Sequence, residues 1–125
     1  MSLGFVVGES KPNVVTIQSS RALPIGEYVI IDVKEGKIVG LVESSFVTSA
    51  ALSDVRNYDE VLESIEIAEL NKRDKSYTGK ILILGFLEML RKGKAILPAI
   101  PPLPGTKVIK ATKADLGDIF APERN

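Results

Sequence analysis

The stretch that decides the fold is IPPLPGT, residues 100–106, which holds three prolines and one glycine. Proline fixes the backbone angle φ and has no N–H group, so this stretch can form neither a helix nor a central strand. It therefore predicts a stiff, extended connector between two apolar segments. On both sides of it, short β-branched runs separated by glycine and proline predict a protein built mostly of short strands.

Seven segments have the length and composition of strands. They are residues 4–8, 14–18, 27–33, 37–43, 78–90, 95–97 and 108–109. Lys34-Glu35-Gly36 predicts a hairpin turn, because Gly36 can adopt a positive φ. Gly40 within its strand predicts a bulge or a close backbone approach, and Gly85 predicts a kink. Many short strands with one modest helix indicate a small barrel, since closing the sheet removes its exposed edges.

One helix is predicted at residues 58–71, and residues 114–120 predict a final helical turn. Asn57 followed by Glu60 has the pattern of a helix start, and apolar residues then recur at helical spacing. Lys72 and Arg73 suit the negative end of the helix dipole. Four glutamates recur at every third position, namely Glu60, Glu63, Glu66 and Glu69. They form either a solvated helix face or an acidic surface that docks a basic neighbour.

The formal net charge of zero hides an uneven distribution. Residues 1–70 carry 5 basic and 11 acidic groups, whereas residues 71–113 carry 10 basic and 2 acidic groups. This asymmetry either marks a face for nucleic acid or an acidic partner, or the two halves fold together and their charges intermix. The candidate DNA-facing residues are Arg91, Lys92, Lys94, Lys107 and Lys110, which would contact phosphates. A solubilising role is the alternative for each of them.

The sequence offers no recognisable equipment for catalysis. It has no Cys and no His, which excludes thiol nucleophiles, imidazole bases and the usual zinc ligands. A phosphate-binding loop needs Gly-x-x-x-x-Gly-Lys followed by Ser or Thr, and none of the three Gly-Lys pairs satisfies that pattern. We therefore expect no catalytic residue, no cofactor-binding residue and no metal ligand in this chain. No apolar run approaches the ~20 residues of a membrane helix, and no signal peptide is evident, so a cytoplasmic protein is expected.

Four segments together resemble a known module: GFVVG at 4–8, GEYVII at 26–31, VGLV at 39–42 and IPPLPGT at 100–106. The module is the N-terminal HAS-barrel of HerA-type DNA translocases, the bipolar archaeal helicases, and a similar barrel begins the catalytic subunits of ATP synthases. The proline connector in its expected place is the strongest element of the likeness. The resemblance implies a mainly β, closed six-stranded barrel over residues 1–121, with an inserted helix near 58–71. Residues 122–125 would begin a linker to an ATPase domain.

The resemblance also implies a function. The chain would be a non-catalytic assembly and partner-docking domain of a hexameric DNA-translocating ATPase that acts in DNA end resection. Its expected partners are other copies of the chain, a NurA-type nuclease and double-stranded DNA, with no membrane. ATP and Mg²⁺ would be bound only by the ATPase domain. The candidate interface residues are those of the connector, namely Pro101, Pro102, Pro104 and Gly105.

Two other interpretations stay open from the sequence. One is a stand-alone nucleic-acid-binding β-barrel, for which the basic half of the chain is the motivation. The other is a small enzyme with an unrecognised site. The nucleic-acid interpretation lacks the aromatic residues, interleaved with basic ones, that stacking on bases requires.

Overall fold

The computed structural model describes residues 3–71 and 74–120, except the side chains of Asp118 and Phe120. The strands are β1 Gly4–Ser10, β2 Val14–Ser19, β3 Tyr28–Val33, β4 Gly36–Ser49, β5 Lys75–Phe86 and β6 Lys107–Lys110. The helices are α1 Tyr58–Leu70, α2 Leu87–Arg91 and α3 Lys113–Phe120. The domain boundary predicted at residue 121 and the linker predicted at 122–125 lie outside the described residues.

The six strands close into one barrel in the order β1-β2-β5-β4-β3-β6, and β6 completes the ring by pairing with β1. All neighbouring strands are antiparallel. This confirms the predicted fold class, a mainly β, closed six-stranded barrel with a helix inserted between β4 and β5. Closure pairs strand edges that would otherwise invite aggregation.

The hydrophobic core has an inner and an outer part. Every second residue of a strand points into the barrel. The inner cluster includes Val6, Val15, Ile17, Val29, Ile31, Ile38, Val42, Ile81, Ile83 and Val108. The outer cluster lies on the other side of the wall and is built on Ile30, Val39, Leu87 and Ala111, with Leu90 of α2 and Leu116 of α3 packed against it. The two short helices therefore cover one outer face of the barrel.

Two glycines act as the sequence predicted. Gly36 ends the β3–β4 turn with φ of 148°. At Gly40 the β4–β5 register shifts, which confirms a bulge, and a Cβ built there would lie 2.4 Å from Cγ2 of Ile81. The extra residue of the bulge is Leu84 on β5, since Val39 pairs with Gly85 and Gly40 pairs with Ile83.

Two predicted strands are wrong in part or in full. The strand predicted over 78–90 ends at Phe86 and is followed by α2. Phe86 pairs with Ile38, close to the β3–β4 turn where β4 begins, so β4 offers no further partner beyond that point. Residues 95–97 form no strand. Their link to the sheet is one hydrogen bond from the Phe86 N–H to the Ile96 carbonyl, at 3.0 Å. The strand that closes the barrel is β6, which follows the connector.

The two predicted helices begin within one residue of where the sequence predicts, whereas α2 was not predicted. The Asn57 side chain accepts a hydrogen bond from the Glu60 N–H at 3.0 Å and starts α1. Lys72 and Arg73, predicted to suit the other end of α1, lie outside the described residues. The predicted final turn is α3, where the Asp115 carboxylate accepts from the Thr112 N–H at 2.9 Å. That hydrogen bond holds the pKa of Asp115 below its usual range. In the described part of the chain, no helix is long and apolar enough to span a membrane.

Candidate docking surface

In the structure the connector comprises residues 95–106, between α2 and β6, and so begins before the predicted segment 100–106. It exposes a group of apolar side chains. It lies against the β3–β4 hairpin, and two clefts flank it. One, of about 410 Å³, lies between the hairpin and residues 100–103. The other, of about 500 Å³, is lined by Phe86, Met89, Ile96 and Leu97. We call the exposed apolar side chains of this region the connector surface; they are Ile96, Leu97, Ile100 and Leu103.

Hydrogen bonds hold the connector at both ends. At its start, the Ile96 carbonyl accepts from the Phe86 N–H, so the connector adjoins the end of β5. At its end, the Gly105 N–H donates to the Val6 carbonyl at 2.6 Å, and the Val6 N–H donates to the Thr106 carbonyl at 2.9 Å. The exposed apolar residues therefore belong to a backbone fixed on β5 and β1, and they form a defined surface.

The predicted interface residues have different positions in this connector. Pro102 is buried and Pro101 is half-buried, whereas Pro104 and Gly105 lie in an exposed turn. The prolines therefore shape the connector, and the isoleucines and leucines between them supply most of its exposed apolar area. Sequence analysis missed these four residues. The sequence did hold a signal for them. Residues 95–105, AILPAIPPLPG, are all uncharged, and their prolines keep them out of a sheet, so their apolar side chains could not all be buried within one.

Four of the five predicted DNA-facing residues flank the connector along the chain. Arg91, Lys92 and Lys94 precede it, and Lys107 follows it and lines the 410 Å³ cleft. Arg91 lies 3.9 Å from the Glu88 carboxylate. These positions make the connector surface an apolar region with basic residues at both ends, and contact with DNA stays a prediction.

Lys110 is placed differently from the other four basic residues. Its ammonium lies 3.6 Å from the Glu27 carboxylate, which is also 3.7 Å from the Arg21 guanidinium. Val29 pairs with Lys110 and Phe5 pairs with Lys107, so the two lysines stand at opposite ends of β6. Lys110 is thus engaged with an acidic group on the loop before β3.

Helix α1 forms a second exposed surface with the opposite charge. It has no buried residue, and its exposed apolar side chains are Tyr58, Leu62, Ile65, Ile67 and Leu70. Residues 58–70 contain five acidic groups and no basic group. Glu63, Glu66 and Glu69 are exposed, as a solvated helix face predicts.

The two surfaces lie at different ends of β5. This strand begins beside the end of α1 and finishes at α2 and the connector. A strand rises about 3.3 Å per residue, so the twelve residues of β5 separate its ends by up to about 36 Å. No described residue of α1 lines either connector cleft, whereas Ile65, Ala68 and Glu69 of α1 lie beside Leu52 and Lys75 at the start of β5. Within one molecule, the acidic helix and the connector surface are therefore separate surfaces.

Asp74 fixes the loop that leads from β4 into α1. It is buried and accepts hydrogen bonds from the Ser49 hydroxyl and from the Ala51 N–H, the latter at 2.8 Å. These two hydrogen bonds hold the pKa of Asp74 below its usual range, and the one from the Ser49 hydroxyl has the larger effect. Both donors favour the ionised carboxylate, which ties the loop to the start of β5.

We expect Asp74→Asn to lower the thermal unfolding midpoint at pH 7, because an amide offers one acceptor oxygen for the two donors. A lowered folded-state pKa stabilises the protein above the unfolded value of about 3.9 and stops doing so as pH falls through the folded value. The midpoints of the two proteins should therefore converge below about pH 4. Asp54→Asn, in the same loop but exposed, is the control and should show no such gap. A gap of equal size at pH 7 and pH 3 would contradict this role.

The described residues show no arrangement of three or more acidic side chains that could hold a metal ion. Apolar residues of the connector line both clefts. Charged residues also line them, namely Asp32, Lys34, Glu35 and Lys107 at one cleft and Glu35, Lys37 and Glu88 at the other. Such a surface is suited to contact with another macromolecule, since contiguous exposed apolar patches commonly mark interaction sites.

Comparison with known proteins gives relatives of one kind. No protein-family model matches the sequence. The chain is 34% identical over 121 residues to a probable helicase of Methanocaldococcus jannaschii. This match covers 94% of the chain and 23% of that helicase. The chain is 29% identical over 121 residues to the DNA double-strand break repair helicases HerA of Sulfolobus acidocaldarius and Sulfurisphaera tokodaii. Those matches cover 97% of this chain and 24% and 23% of the two helicases. The chain thus spans about a quarter of the length of these relatives.

Proposed function

This chain is homologous to the N-terminal region of HerA-type DNA repair helicases, and from that homology we propose that it is a non-catalytic assembly and partner-docking barrel. The larger protein would be a hexameric DNA-translocating ATPase that acts in DNA end resection. ATP and Mg²⁺ would then be bound by parts of that protein outside this chain, because these 125 residues contain no phosphate-binding loop.

The observation that carries this proposal is the connector surface on a closed barrel. The residues that point into the barrel are close to fully buried, with Val6, Ile17 and Ile81 at 0% exposure. The interior is therefore a packed core, and partners can contact only the outer surface of the barrel. A barrel closed on all sides is a rigid support on which exposed loops can dock other proteins.

The proposed partners are other copies of the chain and a NurA-type nuclease. The exposed apolar residues of the connector, at 43–71% exposure, favour protein contacts. Double-stranded DNA is a further proposed partner, through phosphate contacts of Lys92, Lys94 and Lys107. Such contacts would strengthen DNA binding at copies whose connector is not covered by another copy, since several weak basic patches act together on one polyanion.

A binding experiment on this chain distinguishes the proposed function from the alternative, a stand-alone nucleic-acid-binding barrel. We expect immobilised chain to retain a purified NurA-type nuclease and to bind a 20-base-pair duplex only weakly, because Lys110 and Arg91 already lie beside carboxylates. The measurements are biolayer interferometry with the nuclease and gel-shift titration with the duplex at low and moderate salt.

The charge-reversed variant Lys92→Glu/Lys94→Glu/Lys107→Glu is the control for the duplex arm. Tight, salt-sensitive duplex binding that this variant loses, together with no retention of the nuclease, would replace the proposed function by the alternative. Turnover of a nucleotide by the chain alone would contradict both.

A further inference from the structure

Helix α1 has little of the packing that normally stabilises a helix of its length; Val61 and Ala68 are half-buried, and Ala68 lies near Leu52. It has 13 residues, none of them buried, and helices shorter than about 12–15 residues are marginal in water without tertiary packing. Glutamates three residues apart repel one another along the helix. Glu66 and Glu69 also lie in its second half, where the helix dipole disfavours negative charge. A partner that covers this helix would supply both apolar burial and positive charge.

The same chain carries a surface with those two properties. The connector surface exposes Ile100 and Leu103 at 68% and 71%. Exposed Lys92 and Lys94 stand just before the connector, and Lys107 stands just after it. Leu62 and Ile65 on α1 are exposed at 47% and 39% between the acidic residues. Apolar area and opposite charge are therefore present on both sides of a possible contact.

The position of the two surfaces decides between a contact within one molecule and a contact between two. In the folded chain no described residue of α1 lines the connector clefts, so a contact between the two surfaces needs a second copy. Two copies can do so by joining unlike surfaces. A contact of unlike surfaces repeats from copy to copy, and it closes into a ring when the rotation between copies allows.

We propose that α1 of one copy docks on the connector surface of a second copy, with its glutamates facing Lys92, Lys94 and Lys107. Leu62 and Ile65 then cover the exposed isoleucines and leucines of the connector. This inference rests on the proposed function, because it identifies the surfaces through which the assembly forms. It also gives α1 the apolar cover that the single chain does not provide. A connector covered by α1 of another copy cannot use the same lysines for DNA or the same apolar residues for a nuclease, so the two kinds of contact exclude each other at one connector.

The chain has no Cys, so introduced cysteines report contacts directly. Mixing Glu66→Cys with Lys92→Cys under mild oxidation should give a disulfide-linked dimer of the two variants at least five-fold faster than Glu9→Cys mixed with Lys92→Cys. Glu9 is an exposed acidic residue on β1 and is the matched control. Raising the salt concentration should slow the first reaction, since the contact depends on opposite charges.

A charge exchange at two further residues, Glu63 and Lys94, tests whether opposite charges drive the cross-link. Glu63→Lys added to the Glu66→Cys chain should slow the cross-link, and Lys94→Glu added to the Lys92→Cys chain should restore it. Ile100→Glu, at an exposed position where folding is not at risk, should also slow it. Equal rates for the Glu66→Cys and Glu9→Cys mixtures would overturn the proposal.

The outcomes also separate this inference from the proposed function. If the two mixtures react equally but the chain still retains the nuclease, only the α1–connector contact is wrong. If the chain neither associates with itself nor retains the nuclease, the proposed function is wrong as well.

Discussion

Ile81→Ala should lower the free energy of unfolding by about 2–5 kcal/mol, the cost of removing a large side chain from a close-packed core. Ile81 is at 0% exposure and belongs to the inner cluster of the barrel. The barrel is closed on all sides, so neighbouring strands cannot collapse easily into the cavity. A domain of this size has a total stability of only about 5–15 kcal/mol, so the variant should be partly unfolded at moderate temperature.

Ile25→Ala is the matched control for this loss, because the same side chain is removed from a position that is 70% exposed. Its cost should stay within about 0.5 kcal/mol, as for most surface changes. Urea unfolding followed by circular dichroism gives both values with the same denaturant dependence. Similar losses for the two variants would show that Ile81 is not in a packed interior.

The barrel could be predicted from sequence because its strands carry local signals. β-branched alternation marks β2 and β3, and Lys34-Glu35-Gly36 marks the turn between β3 and β4. The pairing of β6 with β1 and β3 could not be predicted from residues 108–109 alone, since it depends on contacts between distant parts of the chain. Here the resemblance to a known barrel supplied what local pattern could not.

The end of β5 shows why other elements were missed. The apolar run from Ile81 to Leu87 suits a continuous strand. Gly85 predicted a kink in it, and the bulge lies at the neighbouring residue, Leu84. After Phe86 the chain leaves the sheet, and LEMLR then forms α2 because its leucines cover the outer cluster. Residues 95–97 have strand composition, but Pro98 follows directly and offers no N–H for a ladder.

The sequence predicted which residues of the candidate site are charged, but not how they are arranged in space. Composition located the basic residues around the connector, whereas the ion pair between Lys110 and Glu27 joins two distant segments and left no local signal. The exposed isoleucines and leucines of the connector were visible as apolar residues in a segment that cannot enter a sheet. Their exposure depends on which prolines are buried, and that follows only from the fold.

Gly85→Ala is expected to loosen the start of the connector on β5. Gly85 has φ of 147°, a region that costs a residue with a side chain about 1–3 kcal/mol. A Cβ at this position would lie 3.1 Å from both the backbone N and O atoms of Ile96. Relief requires that the connector move away, because a backbone group cannot rotate aside as a flexible side chain can. A shift of a few tenths of an ångström would weaken the hydrogen bond from the Phe86 N–H to the Ile96 carbonyl, which is 3.0 Å long.

Gly93→Ala is the matched control, since Gly93 also has a positive φ, of 79°, but no atom lies within 4 Å of the Cβ that would be added. Both variants should lower the unfolding midpoint through backbone strain. Only Gly85→Ala should speed hydrogen exchange of the Phe86 amide, measured by NMR at low temperature well below unfolding. It should also slow the cross-link between Glu66→Cys and Lys92→Cys, because a displaced connector no longer presents its apolar residues. Unchanged Phe86 protection in Gly85→Ala would show that the close approach at Ile96 does not hold the connector, and its fixed geometry would then depend on the hydrogen bonds to Val6.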